Sequence, residues 1–415
     1  MESLEEIKLR LTSKDPEQRI DALLDAWEYG TAGIELVVRA LEDKVRKVRQ
    51  SALLLLSESE TEIAKQALWN YLPFSQMQCL HTITEFKLDY WDWDDEPEAD
   101  WLYGFAIANF SNSLVICWNL KYEETYVHTF NLATGKLTKN CILSLAHDFG
   151  LGNNGKDIVF SFQDTIRTSL ISDLENYCLD HSIDIFPASY NAFAVTSKQS
   201  LVAISCCNSR TGELEIKDYK TNRCYLHYDF EQILLSTHHI NTGNLWQRQT
   251  PSLFFTPNDE VLIAHLRPNG LYSDIKLWDV TTGTLLQTFD SLPRLTIISV
   301  GVRPDKSIIA CGMRRKAPCW KAEDRLCAWE LQSDRIIYTA SEMSPCILST
   351  DGRVLIYATA NYEIVIRDLV ADRELVTLQG HDAPIAYLAL SEDRQFLASY
   401  SIDRQIKIWA IPDYS

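Results

Sequence analysis

The sequence has no long apolar run and a clear deficit of positive charge. None of its 415 residues belong to an uninterrupted apolar stretch of about 18, so no transmembrane helix is expected. Its first residues, MESLEEIKLR, lack the apolar segment of a signal peptide. Lysine and arginine number 39 against 57 aspartate and glutamate, a net charge of −18. Nucleic acids and anionic membranes attract basic faces, so we expect neither as a partner and favour a protein with a basic patch.

Motifs that carry catalysis or bind metals are equally scarce. The sequence contains no G-x-S-x-G, P-loop or H-E-x-x-H pattern. Gly150–Gly155 fits G-x-G-x-x-G, but the strand-like Ile158–Phe160 follows where a dinucleotide site needs a helix, so we interpret these glycines as loop and turn residues. Cys311, Cys319 and Cys327 lack the C-x₂-C spacing of zinc sites. We predict a non-enzymatic protein with no catalytic residue, metal or cofactor.

The cysteines are not arranged as a disulfide framework. There are 11 of them, an odd number, scattered through apolar strand-like runs such as those around Cys117 and Cys206. Free cysteine is a common core residue in a reducing compartment. We therefore predict reduced thiols and a cytoplasmic location.

Residues 1–72 have helical periodicity throughout. Asp15 precedes Pro16, the arrangement of an N-cap followed by proline at the first helical position, and Ser59–Glu62 has the form of a second capping box. The pattern of residues 15–22 recurs in looser form over residues 43–52, each with an arginine and an alanine three apart. This segment resembles HEAT-type helical repeats, including the lyase-like variety of bacteria. Two such units bury too little surface to be stable alone, so we expect them to pack on the rest of the chain.

From Pro73 onward the apolar period changes from helical to two residues, and a polar turn before a short apolar strand recurs seven times. The turns begin at residues 111, 153, 197, 257, 304, 350 and 392. A repeat in the forties with tight turns is typical of propeller blades, each a four-stranded sheet. We predict an α+β multidomain chain, with helical repeats at 1–72 and a mainly β seven-bladed propeller at 73–415.

A second series of motifs recurs in the same phase as the turns. It consists of an apolar strand ending near Trp-Asp or a variant: Ile275–Asp279, Leu326–Glu330, Ile364–Asp368 and Ile406–Ala410. These repeats resemble the WD40 family. Beside HEAT-like repeats, the arrangement looks like that of bacterial proteins common in cyanobacteria.

The last repeat carries the resemblance best. His381, Ser399, Asp403 and Trp409 match the hydrogen-bonded tetrad that stabilises a blade in the WD40 family, which implies a structural role for them. The other repeats are diverged, since Gly-His occurs once and Asn361 replaces the turn aspartate in blade six. Residues 79–83 resemble an outermost strand that should complete the last blade and close the ring.

The long insertions are predicted to lie on one face of the ring. In this fold the connections from the second to the third strand, and from one blade to the next, share a face. The long segments 89–101, 229–250, 266–274 and 312–324 all belong to those two classes. Long loops on a rigid scaffold are where binding sites tend to lie, so we call this side the elaborated face.

The first candidate site is the acidic, aromatic segment 89–101, with Trp91, Trp93, Asp94, Asp95, Glu96 and Trp101. Aromatic side chains anchor interfaces and carboxylates select basic partners. The alternative is that the aromatic rings fold back onto this chain and the carboxylates are only solvated.

Three other segments are further candidates, and two of them are basic clusters. The first contains Arg314, Arg315, Lys316 and Trp320, and the second contains Trp246 and Arg248. Solvated loops, with Trp320 covering its blade, are the alternative for both. The third runs from Lys44 to Arg49 and is either a patch or a solvated helix surface.

The function predicted from these features is that of a scaffold or adaptor. The elaborated face would bind a protein or peptide, while the helices would bind a second partner or brace the ring. Two alternatives remain at this point. One is an enzyme or enzyme subunit, such as a lyase-like HEAT protein in chromophore attachment, and the other is a dedicated subunit of one obligate complex.

Overall fold

A computed structural model describes most of the chain. The described ranges are 3–84, 101–109, 111–120, 124–144, 146, 148–162, 165–172, 181–184, 190–207, 211–231, 252–266, 272–293, 295–315, 324–341 and 345–413. The α-helices are α1 Leu4–Arg10, α2 Pro16–Trp27, α3 Thr31–Arg39, α4 Arg46–Ser57 and α5 Glu62–Asn70, with short 3-10 helices at Ala40–Glu42, Pro73–Gln76 and Asn153–Gly155.

The strands form seven antiparallel four-stranded sheets, which confirms the predicted seven blades. Blade one is β2 Trp101–Ala108, β3 Ser113–Leu120, β4 Glu124–Asn131 and β5 Leu137–Ser144; blade two is β6 Asp148–Gly152, β7 Asp157–Ser161, β8 Thr165–Leu170 and β9 His181–Asp184; blade three is β10 Tyr190–Val195, β11 Leu201–Cys207, β12 Thr211–Asp218 and β13 Cys224–Glu231; blade four is β14 Ser252–Phe255, β15 Val261–Leu266, β16 Tyr272–Asp279 and β17 Leu285–Pro293; blade five is β18 Leu295–Val302, β19 Ile308–Arg315, β20 Asp324–Glu330 and β21 Arg335–Ala340; blade six is β22 Cys346–Leu348, β23 Val354–Ala358, β24 Ile364–Asp368 and β25 Arg373–Leu378; blade seven is β26 Ile385–Leu390, β27 Phe396–Ser401 and β28 Ile406–Ala410, completed by β1 Gln78–Ile83.

The strand before blade one closes the ring as predicted. β1 pairs with β28, so the outermost strand of the last blade comes from the opposite end of the propeller sequence. At the same junction the Tyr387 hydroxyl donates to the carbonyl oxygen of Leu102 at 2.5 Å, which joins the inner strands of blades seven and one. Closing the ring in this way removes the pairing edges that an open array would leave.

The recurrent turns share a backbone conformation that explains their composition. Left-handed residues occur in the first turn of blades one, two, four, five, six and seven: Asn112, Asn154, Asp259, Lys306, Gly352 and Arg394. Asparagine, aspartate and glycine tolerate this conformation best. The glycine-rich segment belongs to this system, since Gly150 and Gly152 lie in β6 and Gly155 turns at φ +75°. Two of its three glycines are therefore strand residues and not loop residues.

The chain divides into two compact units. One comprises residues up to Leu80 with Ser391–Leu397 and the segment from Trp409, and the other comprises His81–Leu390 with Ala398–Ile408. The predicted domain boundary at residue 73 stays a prediction. In the first unit a core of Leu23, Val37, Val48 and Leu56 lies between the helices.

The helix starts follow the predicted capping chemistry with one correction. Asp15 caps α2, and its carboxylate accepts the Glu17 amide at 3.0 Å. α5 begins at Glu62 with Thr61 as its N-cap, two residues later than the expected Ser59. Ser59 instead shares a hydrogen bond with the Thr61 hydroxyl at 2.8 Å. A choice between two adjacent hydroxyl residues depends on where the helix packs, which a capping pattern does not contain.

The repeated arginines of the helical segment are buried and paired. Arg19 forms two parallel hydrogen bonds with the Asp43 carboxylate, each 2.9 Å long. Arg49, the equivalent residue thirty positions later, is almost fully buried and donates to the carbonyl oxygen of Asp43 at 2.7 Å. Its guanidinium also lies 3.8 Å from the carboxylate of Asp413. The C-terminal segment therefore supplies Arg49 with a carboxylate, as the next helical repeat does for Arg19.

Arg46 makes a second connection within this unit. Its guanidinium donates to the Ile411 carbonyl oxygen at 2.9 Å and lies 4.4 Å from the centre of the Phe396 ring. Burial is the main cause that lowers the pKa of Arg46. The interpretation of the basic segment as solvated surface is right for Lys44 and Lys47, which are exposed, and wrong for Arg46 and Arg49.

Asp413 caps a helix from the far end of the chain. α4 begins after Val45, which has no side-chain acceptor, and its first amide, that of Arg46, donates to Asp413 Oδ1 at 2.7 Å. An acidic acceptor at a helix N-terminus satisfies a free amide and interacts favourably with the helix dipole.

Removal of this cap is expected to destabilise the helical unit. Asp413→Ala should lower its free energy of unfolding by about 1 kcal/mol, and Asp413→Asn by less because the amide oxygen still accepts. Urea titration followed by circular dichroism in the helix region measures both. Glu35→Ala, an exposed change on α3, is the control and should shift stability by less than about 0.5 kcal/mol. Equal stability of Asp413→Ala and wild type would contradict the capping role.

Candidate functional site

Most residues of the predicted binding site lie outside the described ranges. This applies to Trp91, Trp93, Asp94, Asp95, Glu96, Trp246, Arg248, Lys316 and Trp320. Trp101 is the first residue of β2, and Arg314 and Arg315 are the last two of β19, so the structure places their backbones. Their binding roles remain predictions.

The topology decides which strand ends these segments join. Residues 85–100 lead from β1 to β2, and residues 232–251 lead from β13 to β14, so both run from an outer strand to the next inner strand. Residues 267–271 and 316–323 connect the second and third strands of blades four and five. Because the strands of a blade are antiparallel, both classes of connection leave a blade at the same end.

Three aromatic side chains occupy this end of the junction between blades one and seven. Phe105, Tyr387 and Tyr400 form a triangle with ring centroids 6.2 to 6.4 Å apart. All three are half-buried. Tyr387 also donates to the carbonyl oxygen of Leu102, the second residue of β2, which follows the C-terminal end of segment 85–100. We call these three residues the junction triad.

Sequence reasoning missed the junction triad. Phe105 is almost 300 positions away from Tyr387 and Tyr400 in the sequence, and all three lie on strands whose apolar alternation predicts only blade core. The available signal was that β2 and β26 are both innermost strands and meet when the ring closes. Aromatic rings with one exposed side supply large contact area at low entropic cost, so this group is chemically suited to anchor a partner.

All four residues of the predicted tetrad in the last blade are described in the structure. His381 Nε2 lies 2.6 Å from the Ser399 hydroxyl, and both residues are buried. Asp403 accepts from the Ser401 hydroxyl and from the Gln405 amide, and Trp409 is buried. Since the His381–Ser399 bond joins the loop before blade seven to its second strand, its geometry suits a structural role. The complete tetrad stays a prediction.

Two buried histidines have strongly lowered pKa values. Burial lowers the pKa of His128 to about 4, where its ring packs edge-on to Trp118 with centroids 5.2 Å apart. Burial also lowers the pKa of His381 to about 4; Lys407 adds to this, and Asp403 and Asp382 oppose it. Both imidazoles are therefore neutral in the folded protein near pH 7.

Stability is expected to fall as the pH drops from about 6.5 to 4. Unfolded histidine has its ordinary pKa of 6.5, so the unfolded chain binds more protons than the folded protein in this window. The free energy of unfolding has its full value above pH 6.5. It decreases as the pH falls toward 4, by up to about 3 kcal/mol for each histidine. Urea midpoints at a series of pH values measure this slope.

Substitution of each histidine tests whether it causes this pH dependence of stability. His128→Phe and His381→Gln should each flatten the pH dependence between pH 6.5 and 4.5. An unchanged slope in both core variants would assign the loss to carboxylates.

Other chemistry within the described ranges is limited. No group of three or more His, Cys, Asp or Glu side chains there is arranged to hold a metal ion. The seven cysteines whose side chains the structure describes are all free thiols. No helix in these ranges is both long and apolar enough to span a membrane.

Comparison with known proteins identifies a repeat in the last blade. The family "WD domain, G-beta repeat" matches residues 372–410, which include all four predicted tetrad residues. The chain is 30% identical over 149 residues to the WD repeat-containing protein SL1-17 of Schistosoma mansoni, covering 35% of this chain and 46% of that protein. It is 32% identical over 81 residues to the WD repeat-containing protein 55 of Arabidopsis thaliana, covering 20% and 23%. Each match thus spans less than half of the relative.

Proposed function

We propose that this chain, a seven-bladed β-propeller with a WD40 repeat, is a non-catalytic scaffold that binds a protein partner through its elaborated face. WD40 propellers typically serve as protein-interaction scaffolds and are generally not enzymes. The observation that carries the proposal is topological. The long connections 85–100, 232–251 and 316–323 all leave the blades at one end, while tight left-handed turns occupy the other.

The charge of the chain favours a basic partner. Its net charge of −18 accelerates the encounter with a positive surface, and the carboxylates Asp94, Asp95 and Glu96 would select that surface on docking. The junction triad adds aromatic anchors beside the strand that follows this acidic segment. We place the scaffold in the cytoplasm, where the free thiols stay reduced.

The helices are proposed to be HEAT-like repeats whose inner face braces the chain. The support is the repeated arginine, since Arg19 binds a carboxylate of the following repeat and Arg49 approaches Asp413. A bacterial origin stays a prediction; the two relatives above come from a flatworm and a plant.

A capture experiment followed by reconstitution tests the scaffold. Tagged full-length protein is incubated with lysate of its source cell, and any stoichiometric partner is purified and its affinity measured. Replacing Trp91, Trp93 and Trp101 together by alanine should weaken binding at least about tenfold. Tyr225→Ala, a partly exposed aromatic residue on the outer strand β13, is the matched control and should bind as wild type does.

The outcomes separate the parts of the proposal. Binding that weakens steeply with salt supports a basic partner. Equal binding by the tryptophan variant and wild type would remove the acidic segment from the site, and the variant Arg314→Ser, Arg315→Ser, Lys316→Ser then tests the second segment. Failure to capture any protein would contradict the scaffold function.

A further inference from the structure

Helices α2 and α4 are equivalent elements that lie side by side in register. Arg46 begins α4 thirty residues after Pro16 begins α2, and each helix has 12 residues. Glu17 near the start of α2 forms an ion pair with Lys47, its neighbour in the repeat, thirty residues later. Equivalent positions of the two helices therefore face the same way.

Their shared outer face exposes a leucine at the same position of each repeat. Leu24 is 53% exposed and Leu54 is 65% exposed. Glu17 and Lys47 pair with each other, and each leucine lies seven positions, or two helical turns, after the one on its own helix. Of the fifteen leucines of this unit, Leu24, Leu54 and Leu9 on α1 are exposed and the other twelve are buried or half-buried, so exposure at two equivalent positions is a property of the face and not of one residue.

Carboxylates lie on both sides of Leu24 along α2 and on the C-terminal side of Leu54 along α4. Asp21 lies about one turn before Leu24, Glu28 lies one turn after it, and Glu58 lies one turn after Leu54. All three are exposed and form no ion pair with any described residue. The face is therefore apolar at its centre, carries the Glu17–Lys47 ion pair at its N-terminal end and is negative at its C-terminal end.

We propose that this face of α2 and α4 binds a cationic amphipathic helix of a partner protein. Two parallel helices packed 8–10 Å apart leave a shallow groove that accepts a third helix. Leucine-sized side chains of that helix would contact Leu24 and Leu54, and flanking lysine or arginine would pair with Asp21, Glu28 and Glu58. A second copy of this chain presents the same carboxylates and a net charge of −18, so charge complementarity favours a basic partner over self-association.

The proposal gives α4 two different faces. Its inner residues Arg46 and Arg49 contact Ile411 and Asp413, which fix the helix in place. Its outer residues Lys47 and Leu54 point away from that contact. A helix held rigidly on one side loses little entropy when it binds a partner on the other. The residues of this surface are different from those of the elaborated face, so its test does not depend on that face.

Model peptides of defined charge and apolarity test the surface on the full-length protein. The probe is the fluorescein-labelled peptide LKKLLKLLKKLLKL, which has leucine and lysine at helical spacing. One control peptide has every leucine replaced by serine, and another has every lysine replaced by glutamate. Fluorescence anisotropy at about 0.15 M salt should show binding of the first peptide at least about tenfold tighter than of either control.

Variants locate the binding. Leu24→Ser with Leu54→Ser should weaken the leucine–lysine peptide by about tenfold or more. Asp21→Asn, Glu28→Gln and Glu58→Gln together should weaken it and reduce its dependence on salt. Ile336→Ser, a comparably exposed apolar residue on β21, should change nothing. Because all these positions are exposed, thermal midpoints should stay close to that of wild type.

Three results would overturn the proposal. Equal binding of the serine control peptide would mean that charge alone attracts cations to this acidic chain. Unchanged affinity of the leucine variant would place the peptide elsewhere. A concentration-dependent dimer that Leu54→Ser abolishes would make a second copy the occupant. Hydrogen-exchange protection confined to α2 and α4 on peptide binding supports the assignment.

Discussion

Replacement of Asp259 by alanine is expected to lower the free energy of unfolding of the propeller by about 3–5 kcal/mol. Asp259 lies in the first turn of blade four and is 1% exposed. Its carboxylate accepts the amides of Ser197, Lys198 and Gln199 at 2.9, 2.7 and 3.1 Å. These three residues form the equivalent turn of blade three, so one side chain joins two neighbouring blades.

The size of the effect comes from the donors that the substitution leaves behind. Charge-assisted hydrogen bonds are about twice as strong as neutral ones, and buried amides without an acceptor add a desolvation cost. Asp259 also has φ +59°, which alanine tolerates poorly. Asp259→Asn, which keeps one acceptor oxygen and adopts this conformation readily, should lose about half as much.

A neighbouring turn provides the control for Asp259. Asp305, in the first turn of blade five, accepts from the amide and hydroxyl of Ser307 within its own turn. Asp305→Ala should therefore cost about 1 kcal/mol or less. Urea unfolding followed by tryptophan fluorescence compares the three variants. Similar losses for Asp259→Ala and Asp305→Ala would mean that the link between blades contributes little.

The second large effect is expected at Asp43, whose replacement by alanine should destabilise the helical unit by about 3–5 kcal/mol. The substitution leaves the Arg19 guanidinium, 11% exposed in its side chain, without its carboxylate. It also removes the acceptor of the Val45 amide at 2.8 Å. A buried charge without a partner costs more than the pair contributes when intact.

A double substitution separates the pair from the lone charge. Arg19→Met with Asp43→Asn removes both charges and should recover most of the stability lost in Asp43→Ala. The exposed pair Glu17 and Lys47 joins the same two helices, so Glu17→Gln with Lys47→Gln should cost no more than about 0.5 kcal/mol. Loss of helical circular dichroism in urea measures all three. If the double variant were as unstable as Asp43→Ala, the cost would arise from the turn and not from the unpaired guanidinium.

Features encoded over a few neighbouring residues could be predicted from the sequence. The seven polar turns and the apolar strands after them gave the number of blades, since turn chemistry and a period of two are local properties. Asp15 and Pro16 marked the start of α2 for the same reason. The strand at residues 79–83 was predicted to complete the last blade because it resembles an outermost blade strand, and it does pair with β28.

The candidate site was predictable only as a set of segments. Insertion lengths and strand order assign the long connections to one end of the blades, but no local pattern shows which of their side chains meet a partner. The junction triad lay beyond sequence reasoning because Phe105 and Tyr387 become neighbours only when the ring closes.

The sequence by itself determined that this chain has a helical segment followed by seven blades and a net charge of −18. Only the tertiary structure decided which charged residues are buried and what they bind. Arg46 and Arg49 look like solvated helix residues until Ile411 and Asp413 lie against them, and Asp259 looks like any turn residue until blade three supplies its three amides. Periodicity and turn propensity act over a few residues, whereas the partner of a buried charge depends on which distant segments of the chain the fold brings together.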